Sequence, residues 1–393
     1  MNMKLPKLTF WRTVFVLILI SGAFATYIRI FGGLGASTNL SDEFPWGIWI
    51  GFDILCGVML AAGGFTLMAT VHIFNVKEYK PIARPALLTA FLGYLLVIGA
   101  LMFDLGQPWN VFRVMVTFQP RSVMWEVGWC VMLYTTVLFL EFLPIVFEKL
   151  RYEKPLRILH MISVPLIILG VILSTLHQSS LGSLYLIVPG KLHPLWYTPM
   201  LPVLFWISAI TIGLAMTIFE STMSARHFPG HSLEPRLIRG LGGIMMVFLI
   251  IYGVVRMQNL FSRDALQYAM QPTYEATMFW AEVALGFAIP IALLMFRQIR
   301  ESPVRLYIVS ILVISGFLLN RLNVAVTGME GSAGVRYIPK WSEVSITLSI
   351  VAVGIFLFTM AVKYLPIFTH GHEMPAEEKS QDKLTPTIPV PVG

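Results

Sequence analysis

Charge is scarce in this chain: Asp, Glu, Lys and Arg make up 12% of its 393 residues, against about 25% in a soluble domain. That scarcity excludes an ordinary soluble enzyme, a disordered protein and a surface-bound amphipathic protein. Cysteine is nearly absent too. Cys56 and Cys130 both sit in apolar runs, and two thiolates cannot hold an iron–sulfur cluster, which takes about four ligands. They make no disulfide framework either, so any cluster chemistry must belong to a partner. Strand alternation of the barrel kind is missing, as is any stretch resembling a soluble or nucleic-acid-binding domain. What remains is hydrophobic: 56% of the residues. The chain reads as an integral membrane protein.

Apolar runs of about 20 residues cross a bilayer as helices. Ten such runs lie at roughly 11–31, 46–75, 86–105, 122–147, 157–177, 199–223, 238–260, 274–296, 304–326 and 342–365. The expected fold is therefore all-α and polytopic. Lys4, Lys7 and the run Val14–Ser21 before Ala23-Phe24-Ala25 resemble a signal peptide; the stretch is read as an uncleaved first helix. With an even number of spans both termini share one side. Nineteen of the 28 Lys and Arg residues fall on that side, six on the other and three (Arg29, Arg256 and Arg321) inside spans. By the positive-inside bias both termini are expected in the cytoplasm of a bacterial inner membrane. The outer loops, Gly32–Phe44, Gly106–Arg121, Gln178–Thr198 and Thr327–Trp341, are the longer ones, which points to a docking or functional face.

A charge near the bilayer centre costs on the order of 2.5–3.5 kcal/mol by insertion scales. This chain nevertheless carries Arg29, Asp53, Asp104, Glu126, Glu141, His177, Glu220, Arg256, Glu282 and Arg321 within its spans. Arg29, near an outer end, is expected to snorkel to the interface. Glu126 and Glu141 share the fourth span, fifteen residues apart; that is roughly 22 Å along the axis and within about 60° of one face. Glu220 lies at the inner end of the sixth span, Tyr94 mid-way along the third, and Asp104 at its outer end. The fifth span leads outward into His177-Gln178-Ser179-Ser180. Carboxylates at both depths, with a His and a Tyr, suit a proton path or a redox site whose substrate takes up protons. The alternatives are a proton-coupled secondary transporter, for which paired broken helices are expected, and an inert anchor in which the same groups only pack.

No metal site is expected. Within spans, His72 and His160 form the sole His pair at similar depth, which is weak ground for an intrinsic haem. Ala61-Ala62-Gly63-Gly64 and Gly240-Leu241-Gly242-Gly243 suit close helix packing, or a groove for a flat ring. Ser122-Val123-Met124-Trp125-Glu126 and Thr277-Met278-Phe279-Trp280-Ala281-Glu282 open the fourth and eighth spans alike. That faint repeat suggests two four-helix bundles, spans 2–5 and 6–9, with the first and tenth spans peripheral. The chain then divides into 1–31, a tail with the first helix; 32–177, a first bundle holding the site; 178–326, a second bundle; 327–365, a loop and the last helix; and 366–393, a Pro-rich linker.

The run Phe44-Pro45-Trp46-Gly47-Ile48-Trp49-Ile50-Gly51-Phe52-Asp53 resembles the second-helix opening of the NrfD/PsrC superfamily of quinone-reactive membrane subunits, in particular its Hyb-type nickel–iron hydrogenase branch. Arg84-Pro85-Ala86-Leu87-Leu88, Phe91-Leu92-Gly93-Tyr94, His177-Gln178-Ser179-Ser180-Leu181-Gly182-Ser183 and His193-Pro194-Leu195-Trp196 extend the likeness, as do the two Trp-containing span openings. It covers about residues 32–365. The resemblance implies a subunit free of haem and iron–sulfur clusters, with a menaquinone or ubiquinone site near the outer, periplasmic face. There a ferredoxin-like iron–sulfur subunit would link it to a catalytic subunit, whether a Ni/Fe hydrogenase, a molybdenum enzyme or a multihaem cytochrome. It places Glu126, His177 and Tyr94 at the quinone pocket with Asp53 and Asp104 nearby, and Glu141 and Glu220 on the inner part of a proton route. Glu282, which opens the eighth span as Glu126 opens the fourth, is expected on the proton path as well.

Overall fold

Residues 9–228 and 234–368 are described by a computed structural model, and among them the chain is helical with no strand. Ten helices are long and apolar enough to cross a membrane: α1 (Phe10–Ser37), α2 (Trp49–Ile73), α3 (Lys77–Asp104), α4 (Val123–Leu150), α5 (Glu153–Leu184), α6 (Leu201–His227), α7 (Pro235–Ser262), α8 (Tyr274–Met295), α9 (Pro303–Ala333) and α10 (Trp341–Tyr364). Every expected span has its helix, and the protein is an all-α multi-pass membrane protein. Lys4, Lys7, Lys379, Lys383 and nearly all of the tail expected as a linker lie outside the described residues. Successive helices run in opposite senses between a basic end, with Arg84, Lys149, Arg151 and Arg300, and a loop-rich end.

Burial sorts the helices. In α2 and α6, 72% and 78% of the apolar window is covered by protein, against 17% in α1 and α10. The first pair is therefore central, and the second pair turns most of its surface outward. α4 packs along α5, α6 along α7 and α1 along α10, while α6 also contacts α5 and α9. Lipid tails are as apolar as Leu, so packing and polar contacts must hold such pairs together. Between α1 and α10 those contacts are Ser21 to Ser345 at 2.9 Å and the Ser349 hydroxyl donating to the Ile18 carbonyl at 2.9 Å. Gly22 makes room for them: a Cβ there would lie 1.7 Å from Ser349 Oγ.

Arg29 does not snorkel. It is 7% exposed and donates to the carbonyls of Phe103 at 2.7 Å and Leu105 at 2.6 Å. Those carbonyls belong to the end of α3, where no helical partner remains for them, so the guanidinium ties α1 to the core. α5 also departs from expectation, running past residue 177 to Leu184. The expected 177/178 boundary thus falls inside one helix. Its serines permit this by bonding back along the turn, Ser180 to Leu176 O and Ser183 to Ser179 O, so no hydroxyl is left facing hydrocarbon.

The spans are not uniform α-helix. π-helical turns occupy Trp49–Cys56 and Ala69–Ile73 in α2, Ala284–Ala288 in α8 and Asn323–Thr327 in α9. In α8 the turn accompanies a close backbone approach to α9: a Cβ on Gly316 would lie 2.1 Å from Gly286 N. The glycine run of α2 serves packing in the same way, with Gly63 against the Gly213 carbonyl of α6 and Gly64 against Ala90 of α3.

Candidate functional site

The α4/α5 interface carries a polar stripe. On α4, Glu126, Cys130, Tyr134 and Glu141 follow a spacing of four, four and seven, and on α5 Gly170, Ser174, His177 and Ser180 follow four, three and three. Both spacings keep one face of a helix, and the two faces meet. At the loop-rich end, Ser180 Oγ donates to Glu126 Oε1 at 2.6 Å. Deeper in, Tyr94 of α3 shares a 2.8 Å hydrogen bond with His177 Nδ1, the two residues being 1% and 0% exposed. Tyr134 stands edge-on to the Tyr94 ring, centroids 4.6 Å apart. Toward the basic end the Glu141 carboxylate lies over Gly170, where a Cβ would sit 3.4 Å from Glu141 Oε1.

His177 Nε2 and Gln178 Oε1 are buried here without a protein partner, and the hydroxyls of Tyr134 and Ser174 are buried beside one another. Leaving such a group unpaired costs about 1–3 kcal/mol, and native interiors hold few of them. The α4/α5 interface and its border with α2 thus hold more buried polar atoms than packing alone requires.

Above the stripe, at the loop-rich end, opens a pocket of about 350 Å³ whose wall includes Phe44, Trp46, Met124, Leu184, Tyr185 and Met329. Met124 lies two residues before Glu126, and Leu184 one turn beyond Ser180, so the Glu126–Ser180 bond sits about one turn below the wall. Tyr185 lies just past the end of α5; its ring is edge-on to Trp46 at 5.5 Å, and its hydroxyl is buried without a partner. Burial, with the neighbouring Asp104 carboxylate, holds that phenol well above its ordinary pKa, so it remains a donor. Tyr337 fastens the pocket rim. It stacks on Phe44, accepts from the Ile48 amide at 2.9 Å and donates to Glu343.

Asp53 and Glu220 stand apart from the stripe. They line a groove of about 750 Å³ between α2, α3, α6 and α10. Asp53 Oδ2 accepts from Thr347 Oγ1 at 2.7 Å, and Glu220 Oε2 from Thr89 Oγ1 at 2.7 Å. Asp104, at the end of α3, has one buried oxygen without a partner and the Arg29 guanidinium nearby.

Glu282 is placed elsewhere again. Its carboxylate accepts from Trp196 Nε1 at 2.8 Å, Asn320 Nδ2 at 2.7 Å, Asn323 Nδ2 at 3.0 Å and Arg256 at 3.4 Å. Ionised carboxylates offer about four acceptor positions, so this one is saturated. The bond from Trp196 also pins the loop between α5 and α6 into the α7–α9 core. Arg321 has neutral acceptors only, Asn320 Oδ1, Phe205 O and Ser208 Oγ, and lies 3.4 Å from the Phe205 ring centre.

The expected site residues therefore divide into four places: Tyr94, Glu126, His177 and Glu141 in the stripe, Asp53 and Glu220 in the groove, Asp104 beside Arg29 at the end of α3, and Glu282 in its own hub. Tyr134, Ser174, Ser180 and Tyr185 were not among them. For the first three the helical spacing from Glu126 and His177 was the available signal. Among the described residues no group of three or more His, Cys, Asp or Glu side chains could hold a metal ion.

Comparison with known proteins agrees with this architecture. The chain is 34% identical over 343 residues to the Probable Ni/Fe-hydrogenase 2 b-type cytochrome subunit of Escherichia coli, covering 86% of this chain and 87% of that protein. It is 28% identical to the Menaquinone reductase, integral membrane subunit, of Nitratidesulfovibrio vulgaris, with 94% of each covered. It is 25% identical to a selenate reductase subunit of Mesobacillus selenatarsenatis, with 98% of this chain and 99% of that protein covered. The family profile described as "Polysulphide reductase, NrfD" matches residues 36–330, three-quarters of the chain, and the protein belongs to the NrfD family.

Proposed function

We propose that this protein is the quinone-reactive membrane subunit of a respiratory electron-transfer complex. The observation that carries this reading is the polar stripe of α4 and α5 running down from a pocket whose wall includes Tyr185, a tyrosine whose hydroxyl is buried without a protein partner. Menaquinone or ubiquinone, when bound, would supply the two-electron, two-proton chemistry. The residues fit such a group: Trp46, Phe44 and Met329 offer apolar walls to a flat ring, and Tyr185 Oη offers a donor to a ring oxygen. Ligand sites of this kind are mostly apolar with a few placed polar groups.

Beneath the pocket, Glu126 holds a proton-exchanging carboxylate oriented by Ser180. With Tyr94 donating to Nδ1, a neutral His177 carries its own proton on Nε2, an atom with no other protein partner. Tyr134 and Ser174 fill the distance between His177 and Glu141, which is too great for one transfer. Glu141 would draw protons from the basic end, and Glu220 and Asp53 would serve the same purpose along the groove. The saturated Glu282 takes the role of an anchor in this scheme, although its place at the opening of α8 suggested the proton path.

The basic end is assigned to the cytoplasm of a bacterial inner membrane by its excess of Lys and Arg. A ferredoxin-like iron–sulfur partner would then meet the loop-rich end in the periplasm and link it to a catalytic subunit. The names of the relatives, a hydrogenase subunit, a menaquinone reductase subunit and a selenate reductase subunit, support a catalytic partner of the hydrogenase or reductase class. The subunit itself is read as free of haem. His177 is engaged by Tyr94, and His72 and His160 are exposed near the basic end.

The test uses the assembled complex oxidising a menaquinol analogue with an artificial acceptor. Glu126→Gln and His177→Ala should each lower turnover by about 10²-fold, the scale of acid–base assistance, while the complex still assembles. Normal turnover in both would move the site elsewhere, and loss of assembly would make these residues structural.

A further inference from the structure

The groove between α2, α3, α6 and α10 shares no lining residue with the loop-rich pocket and is about twice its size, 750 Å³ against 350 Å³. Its walls are apolar along nearly their whole length, from Phe52, Leu60 and Leu96 to Phe219, Phe358 and Phe228. On its α10 side, Val351 and Ile355 are 41% and 61% exposed. They face outward on a helix that is otherwise mostly uncovered, so the groove opens to the bilayer. From Glu220 to the end of α6 at His227 is seven residues, roughly 10 Å, so the carboxylate lies within the span, toward its basic end.

Glu220 is half-satisfied there. Thr89 bonds Oε2 at 2.7 Å, while Oε1 is buried with no partner. A carboxylate with one orphan oxygen in an apolar groove is a costly arrangement for a structural residue, and it is relieved by a ligand that brings a donor. Several features restrict that ligand. It must come from the membrane, because the opening faces lipid. It must carry a long apolar part, because the remaining wall has few polar atoms. It must also bring a hydroxyl to a point roughly 10 Å in from the basic end of α6, beneath the level of the phospholipid headgroups.

We propose that this groove is a second binding site, for a quinol-class lipid, with one ring hydroxyl donating to Glu220 Oε1 beside Thr89 and the isoprenoid tail along the α2/α3/α10 walls. The inference rests on the quinone reading above and adds a site at the opposite depth. Such a site would hold product or reserve quinol close to the basic end without competing for the loop-rich pocket.

The experiment titrates the intact complex in lipid nanodiscs with 2-heptyl-4-hydroxyquinoline N-oxide, a fluorescent hydroxyl-bearing quinol analogue quenched on binding. Two molecules per chain are expected for the wild type. Val351→Trp, at a lipid-facing position on the groove lip, should reduce this to one. Glu220→Leu and Thr89→Val should each weaken the second class about tenfold or more. One molecule per chain, insensitive to all three substitutions, overturns the groove site and leaves the loop-rich pocket standing. One molecule lost in Val351→Trp supports the groove and removes the pocket instead. No binding at all overturns both.

Discussion

Glu282→Gln separates an anchor from a proton carrier. In the wild type one carboxylate serves Trp196, Asn320, Asn323 and Arg256, and the side chains of Arg256 and Glu282 are only 1% and 3% exposed. Arg256 already has its Nε unpartnered. Removing the negative charge leaves that guanidinium buried with no counter-ion. Breaking one member of a buried ion pair costs about 3–5 kcal/mol, a large share of the few kcal/mol that hold most folded proteins together. The Gln variant should therefore lose monodisperse protein at a temperature the wild type survives, measured by size exclusion after heating in mild detergent. Arg256→Met should be destabilised as well. The double variant should be less destabilised than the two single losses combined, by about 0.5–3 kcal/mol of coupling. Wild-type melting of Glu282→Gln, or strictly additive losses, would refute the hub.

Cysteine labelling tests the orientation: Lys191→Cys should react from the periplasm and Arg151→Cys only from the cytoplasm, with little background because Cys56 and Cys130 are buried; the reverse pattern ends the assignment. In sealed vesicles turning over quinone, Glu141→Gln should lower proton uptake from the basic side more than it lowers electron transfer, and equal charge per electron would leave Glu141 structural. Burial lowers the pKa of His193 from 6.5, with Glu275 opposing. The unfolded chain therefore binds this proton first, and stability is lost as pH falls below about 6.5. The His193→Asn variant should melt with a smaller acid-side decline than the wild type, and an unchanged decline would place the sensitivity elsewhere.

The spans were legible because twenty-residue apolar runs admit few other structures in lipid, and the positions of Glu126 and Glu141 on one face followed from helical geometry alone. Partners were not legible. Nothing in the spacing of Arg29 distinguishes a residue reaching the interface from one capping the end of α3 seventy-odd positions away. Glu126 and Glu282 open their helices with similar residues, yet one meets a single serine hydroxyl and the other meets four donors, two of them from α9. That difference depends on donors brought in from the α5–α6 loop, α7 and α9, among them Asn323 at the start of a π-helical turn, which no local sequence pattern signals. Tyr134 and Ser174 were readable in principle, since each lies on the same helical face as a residue already singled out. The separation of Asp53 and Glu220 into their own groove was not, because it depends on how α10 returns to lie against α3.

The most direct measurement of the central claim is quinol turnover by the assembled complex carrying Tyr185→Phe. The substitution removes one buried oxygen beside the pocket, leaves the ring against Trp46, and breaks no hydrogen bond within the protein, because Tyr185 Oη has no protein partner. A hydrogen bond lost to a bound ring oxygen is worth about 0.5–1.5 kcal/mol, so turnover at limiting quinol should fall by up to about tenfold. Melting temperature and assembly should stay at wild-type values. Turnover indistinguishable from wild type would contradict the account and place the quinone outside this pocket.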